Sequence, residues 1–346
     1  MGFPISNISN RRLTSSFASI VVCRALLLLV CSALMAAQET DVHITPRIAG
    51  NASIPGGGAG MDPSLKTHTR PLRSEVDLVL VPVTVTDPMD RLVTGLEKEN
   101  FEVYEGKERQ PIRHLSSEDA PISVGVLLDM SGSMSNKFDK AKEAVVQFMQ
   151  TANPEDEFFI IGFSDRPLLL SDFTNSVGDI QSRLVMAAPK GLTSLLDAIY
   201  MGVNQMKHAK HERKALLIIS DGGDNHSRYS ESEIKNAIKE ADVQLFAIGI
   251  FDQTPRTQEE RYGPALLAEM SDVTGGRTFT ISDPNELPDV ATKIGTALRN
   301  EYVLAYKPLQ KPRDGKWHKI KVKLLPPKGL PALNLHAKQG YYAAEQ

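Results

Sequence analysis

Ser123-Val124-Gly125-Val126-Leu127-Leu128-Asp129-Met130-Ser131-Gly132-Ser133 is the stretch on which the reading of this chain turns. Residues 123–128 form a short apolar run of the kind that fills a strand buried on both faces. The residues that follow place three oxygen-bearing side chains, Asp129, Ser131 and Ser133, at alternate positions of a loop. In an open parallel sheet, ligands bind at the loops beyond the strands' carboxyl ends. Hydroxyl and carboxylate oxygens are hard donors, suited to Mg²⁺, Mn²⁺ or Ca²⁺ and poorly suited to Zn²⁺ or Cu²⁺.

Outward from this stretch, strand-like runs alternate with amphipathic helical ones. Phe138, Ala141, Val145, Phe148 and Met149 recur at the spacing of a helix lying on a sheet. Strands are predicted at residues 157–163, 214–219, 244–251 and 277–281, and helices at 194–206, 231–241, 264–274 and 287–298. Continuous apolar strands separated by helices imply an α/β fold with a Rossmann-like, doubly wound, mainly parallel sheet. Two more polar elements fall at equivalent edges of that sheet: Gly191-Leu192-Thr193-Ser194 before a helix, and Ser220-Asp221-Gly222 directly after a strand.

Several other readings of the loop fail on particular residues. An EF-hand counted from Asp129 would need Gly where Met134 stands and Glu where Lys140 stands. An Asp-x-Asp phosphatase would place a second Asp at Ser131. A serine hydrolase elbow would need a closing glycine that Gly162-Phe163-Ser164-Asp165-Arg166 lacks. A lone Asp-x-Ser-x-Ser is an ordinary polar turn, with a side chain capping the next helix. In combination with Thr193 and Asp221, Asp129-x-Ser131-x-Ser133 resembles the metal-ion-dependent adhesion site of von Willebrand factor type A domains, over roughly residues 121–298.

That resemblance implies direct metal ligation by the hydroxyls of Ser131 and Ser133, and ligation by Thr193 either directly or through water. It implies roles for Asp129 and Asp221 largely through water and as acceptors behind the ligands. It also implies that a partner protein supplies a Glu or Asp carboxylate to the ion, without any reaction being catalysed. Gly132, Asp224 and His226 are candidate partner contacts, with plain polar loop positions as the alternative for Asp224 and His226. His208 and His211 read as a solvated helix end.

The flanks are β-rich. Residues 79–86 form a β-branched run in which Pro82 points to a sheet edge or bulge. Short strands are predicted at 101–104, 110–114, 302–306, 319–325 and 333–337. Neither flank can bury much alone, so the simplest arrangement is one small β-sandwich-like domain built from both, with the α/β domain inserted. Thr94-Gly95-Leu96, Phe101-Glu102-Val103-Tyr104 and Gly340-Tyr341-Tyr342 resemble the flanks of exported bacterial proteins related to the same family. Lys319, Lys321 and Lys323 alternate with Ile320, Val322 and Leu324, which marks a solvated strand face. The alternative for this lysine-rich end is attraction to an anionic surface.

Arg11, Arg12 and Arg24 precede the run Ala25-Leu26-Leu27-Leu28-Leu29-Val30, which ends at Ala36-Ala37. This is the pattern of a secretory signal peptide, too short for a comfortable span of ~20 residues, with a retained anchor as the alternative. The expected organisation is a signal peptide at 1–37, a disordered linker at 38–73, a β-rich flank at 74–120, the α/β domain at 121–299 and a second β-rich flank at 300–346. Cys23 and Cys31, the only cysteines, both fall in the first segment, which excludes thiol catalysis and Cys-ligated zinc from the mature chain.

The 346 residues are 41% hydrophobic and 23% charged, ordinary globular usage. Thirty-nine Lys and Arg against 42 Asp and Glu, net −3, give no reason to expect nucleic acid as a partner. The expected protein is a periplasmic or extracellular binding module that touches the membrane only through export. An assembly or scaffold subunit, including a homo-oligomer, is the alternative.

Overall fold

The computed structural model describes residues 78–251, 257–310 and 314–344. The expected signal peptide, the linker, both cysteines and residues 74–77 of the first flank lie outside the described residues. In chain order the strands are β1 (Val79–Thr86), β2 (Phe101–Glu105), β3 (Glu108–Gln110), β4 (Ile112–Ser116), β5 (Ile122–Asp129), β6 (Glu157–Phe163), β7 (Pro167–Thr174), β8 (Arg213–Ser220), β9 (Gln244–Ile250), β10 (Thr278–Ile281), β11 (Tyr302–Tyr306), β12 (Trp317–Leu324), β13 (Asn334–Ala337) and β14 (Gly340–Tyr342). The α-helices are α1 (Phe138–Gln150), α2 (Val177–Val185), α3 (Leu195–Gln205), α4 (Glu231–Ala241), α5 (Gln258–Thr274) and α6 (Leu287–Arg299). Among the described residues, no helix is long and apolar enough to cross a membrane.

The apolar run that opened the sequence reading becomes β5, the inner strand of a sheet ordered β10-β9-β8-β5-β6-β7. Its pairings are parallel except for the antiparallel edge strand β7. Every residue of β5 is buried. Val124, Val126 and Leu128 pack into a core shared with α1, α2 and α6, whereas Leu127 faces the core formed with α3, α4 and α5. Coverage of both faces is the physical reason that β5, β8 and β9 read as continuous rather than alternating apolar runs.

Two elements of this block escape the sequence pattern. Strand β7 is a half-exposed edge whose Leu168 is 58% accessible, so it carries no buried run. Helix α2 buries only Ile180 and Leu184. Helix α5 begins at Gln258, not at Pro264: Thr257 accepts the Glu260 N–H and Glu260 reaches back in a capping box, which starts the helix ahead of the proline.

The flanks combine as expected. One antiparallel sheet runs β13-β1-β11-β4 and the other β14-β12-β2-β3, so each takes two strands from either side of the inserted block. Val81, Val83, Phe101, Val103, Tyr302, Tyr306 and Ile320 share their core. The buried Tyr302 hydroxyl accepts the Leu96 N–H (2.9 Å) and donates to the Val93 carbonyl (3.0 Å). Lys319, Lys321 and Lys323 are exposed, while Ile320 between them is buried.

Two prolines correct the expected strands. β1 is an inner strand, not an edge, yet Pro82 pairs only with Val303 of β11, because β13 begins its pairing at Val83. The missing N–H therefore falls where one side has no neighbour. The single strand expected at 110–114 is two, β3 and β4, split at Pro111 and assigned to different sheets.

Where the chain leaves α6 for β11, Glu301 is 1% exposed. Its carboxylate accepts from Gln244 Nε2 (2.7 Å) and Thr84 Oγ1 (3.3 Å) and pairs with Arg213 Nη2 (3.2 Å). Arg213 also donates to the carbonyls of Ala120 and Leu298. Burial pushes the Glu301 carboxyl above the usual range, against the pull of Arg213. Glu301→Ala, which leaves Arg213 without its counter-charge, is expected to lower stability by about 3 kcal/mol in urea unfolding.

Candidate metal centre

Three loops meet at the carboxyl ends of the central strands. The β5–β8 register pairs Leu128 with Ile219, which brings the next residues, Asp129 and Ser220, side by side. The loop after β5 turns through a 3₁₀ segment at Gly132–Met134 into α1. The loop before α3 is tied to it by Lys190 N–H to the Met130 carbonyl (2.7 Å) and Gly132 N–H to the Gly191 carbonyl (3.0 Å). Gly191 has φ +84°, and a Cβ there would meet the Asp165 carboxylate, which accepts the Leu192 N–H at 2.8 Å. The third loop, after β8, donates the Asn225 and His226 N–H groups to the Thr193 carbonyl, both at 3.1 Å. It leaves the strand through Gly222, at φ +87°, where a Cβ would strike the Phe251 ring. Only glycine suits those two turns.

The side chains form a continuous polar chain across two of the loops. Ser131 Oγ lies 2.9 Å from Ser133 Oγ, and Ser133 Oγ donates to Asp221 Oδ1 at 3.1 Å. The other Asp221 oxygen faces Lys137 Nζ at 3.3 Å. Asp129 lies beneath, fully buried, with Oδ1 accepting the Ser131 N–H (2.8 Å) and Oδ2 accepting Ser220 Oγ (2.6 Å). Its pKa is pushed up to about 7, first by burial and then by the Asp221 carboxylate, with the Ser220 and Ser131 donors opposing. Ser220 Oγ also accepts the Gly222 N–H (3.0 Å), so one hydroxyl fixes both the buried carboxylate and the turn that carries Asp221.

Residues 124–223 match the family model described as von Willebrand factor type A domain. The chain carries a von Willebrand factor type A domain. It is 26% identical over 146 residues to inter-alpha-trypsin inhibitor heavy chain H4 of Bos taurus, a match covering 37% of this chain and 16% of that protein. The chain thus spans about a sixth of that relative's length. An uncharacterized protein of Borreliella burgdorferi is 22% identical over 195 residues, covering 49% of this chain and 56% of the other. Among solved structures, the von Willebrand factor type A protein from Catenulispora acidiphila superposes with a TM-score of 0.47 at 11% identity, over 70% of this chain and 76% of that one.

Within the type A domain, the structure brings Asp129, Ser131, Ser133 and Asp221 into one hydrogen-bonded cluster. Thr193 is 4% exposed and is tied to the loop after β8, its carbonyl accepting the Asn225 and His226 N–H groups and its N–H donating to Asn225 Oδ1 (3.0 Å). The donor set is hydroxyl and carboxylate oxygen, which fits a hard divalent cation. Among the described residues no three His, Cys, Asp or Glu side chains converge to hold a metal.

Gly132 and His226 are exposed on the surrounding loops. Asp224 has a different occupation: its oxygens accept the Leu196 N–H (2.8 Å) and both the N–H and Oγ of Ser227. It caps the start of α3 from a neighbouring loop, a role that sequence spacing does not reveal. His208 and His211 share no helix; His211 N–H donates to Ser123 Oγ and its Nε2 contacts the Glu155 carbonyl.

Ser220 and Lys137 also join this cluster, although the loop motifs do not single them out. Ser220 had a signal in its place immediately before Asp221. Lys137 had one too, as a cation directly ahead of a helix start, where acidic residues are favoured.

Because the Asp129 carboxyl binds its proton more tightly in the fold than in the unfolded chain, its contribution to stability is full below pH 3.8 and is lost as pH rises to about 7. In EDTA the melting temperature is expected to fall across that window, and Asp129→Asn is expected to flatten the fall. Thermal melts at fixed ionic strength check this. Asp224→Ala is expected to cost about 1 kcal/mol through loss of the cap, with divalent-ion affinity unchanged, as read by urea unfolding and calorimetry.

Proposed function

We propose that this protein is an exported binding module whose type A domain holds Mg²⁺, or Mn²⁺ or Ca²⁺, and uses it to capture an acidic side chain of a partner protein. The observation that carries this reading is the chain of oxygens from Ser131 through Ser133 to Asp221, assembled from two loops over the buried Asp129. Ser131, Ser133 and Thr193 would hold the ion, with Asp129 and Asp221 orienting them and supplying negative charge. When bound, the ion supplies a positive pole that hydroxyl ligands do not neutralise, so that an anionic oxygen is attracted to it.

The protein's own residues do the arranging. Asp129 holds the Ser131 backbone, Ser220 holds Asp129, and Gly191 and Gly222 let the other loops approach. Asp129 is fully buried with both oxygens already accepting protein donors, so it is poorly placed to take a proton from a substrate. The basic and apolar pattern of residues 11–37 supports export.

Calorimetric titration with Mg²⁺ and Mn²⁺ tests the reading. The wild type is expected to bind one ion, and Asp221→Ala to lose affinity about tenfold or more while keeping its fold. Equal heats from the two proteins would overturn the site. Pull-down from envelope extract with and without EDTA then separates partner capture from self-assembly: partners lost on chelation support capture, and an EDTA-sensitive change in oligomer size alone supports the scaffold role.

A further inference from the structure

Lys137 is the part of this centre that the proposed function leaves unexplained. Its ammonium lies 3.3 Å from Asp221 Oδ2, and both side chains are only 10% exposed. It immediately precedes α1, whose first turn exposes amide N–H groups and a positive partial charge, so a cation here is disfavoured by the helix itself. Its backbone role is generic: Lys137 N–H donates to the Met134 carbonyl and its carbonyl accepts the Ala141 N–H, which other residues could also do. The buried ammonium therefore has to be explained by Asp221, whose other oxygen takes the Ser133 hydroxyl.

We propose that Lys137 is a resident cation that shares Asp221 with the divalent ion and sets the net charge of the loaded centre. This rests on the metal-binding reading above. Without the lysine, Asp129 and Asp221 could between them neutralise a divalent ion. With it, one carboxylate is already matched, and the loaded centre retains positive charge to offer an anionic oxygen. The same ammonium repels the ion at short range in a poorly solvated site, so that metal affinity is lower than the oxygen donors alone would give. Lys137 is thus a positioning and charge-setting residue, not a ligand.

The test uses Lys137→Met, which keeps the length and apolar stem, and Lys137→Arg, which keeps the charge. Mg²⁺ and Mn²⁺ are titrated by calorimetry, and each protein is melted in EDTA and in saturating Mg²⁺. Lys137→Met is expected to bind Mg²⁺ about tenfold more tightly than wild type, to melt lower in EDTA, and to recover in Mg²⁺. Lys137→Arg is expected to match wild type in both measurements. A Lys137→Met protein that binds Mg²⁺ with unchanged or weaker affinity, its melting point lowered equally with and without the ion, overturns this inference alone and leaves Lys137 a plain structural ion pair. A wild type that takes up neither ion overturns the metal reading, and this inference with it.

Discussion

A carboxylate at the end of a fully buried strand is poorly tolerated unless donors face both its oxygens, and the rim of the central sheet is organised around meeting that demand at Asp129. The Ser131 N–H and the Ser220 hydroxyl meet it. The first contact bends the loop after β5 back onto the strand end and puts the Ser131 and Ser133 hydroxyls together. The second ties β5 to β8 at the point where Asp221 leaves the sheet. The geometry of the polar cluster is thus a consequence of one buried charge rather than of five separately placed side chains. Parallel pairing makes this possible, because it sends the loops after β5 and β8 out of the same edge.

How much of this could be read in the sequence follows from what each element buries. Strands β5, β6, β8 and β9 and helices α1, α4 and α6 face packed layers, so their apolar periodicity is strong and their extents came close to the observed ones. β7 and α2 lie at the edge, bury little, and left no pattern to find. The start of α5 was obscured by Pro264, since a proline reads as a helix boundary while a capping box about two turns earlier had already set the helix going. At the rim of the sheet, the spacing of Asp129, Ser131 and Ser133 is local to one loop, so their convergence can be read from the sequence. Lys137 and Ser220 left only the weak signal of their neighbouring positions, because their partners are set by pairings between loops that the folded sheet creates. The capping contact of Asp224 could not be read for the same reason: its partner, the Leu196 N–H, lies 28 residues away.

The β-sandwich imposes a second constraint. Each of its sheets takes strands from before and after the type A domain, so the sandwich cannot close until the intervening chain has brought β5's start and α6's end near each other. Long-range pairing of this kind is slow to form and depends on a well-packed insert. Glu301 lies at that closure, and its three partners come from β1, β8 and β9, one from the sandwich and two from the amino ends of central strands. The junction is therefore a joint record of both domains having folded, and its burial disfavours any arrangement in which they separate.

The two buried acids, Glu301 and Asp129, sit at opposite ends of the central sheet and are balanced differently. Glu301 has a guanidinium, an amide and a hydroxyl, so its charge is matched within the protein. Asp129 accepts from the neutral Ser131 N–H and Ser220 hydroxyl and has the Asp221 carboxylate nearby, which is itself paired with Lys137. One end of the sheet matches its buried acid with a guanidinium, and the other holds its buried acid with neutral donors. On the function proposed above, the hydroxyl and carboxylate oxygens around Asp129 suit a compact, hard divalent cation, because such an ion draws on neutral and charged oxygen donors together.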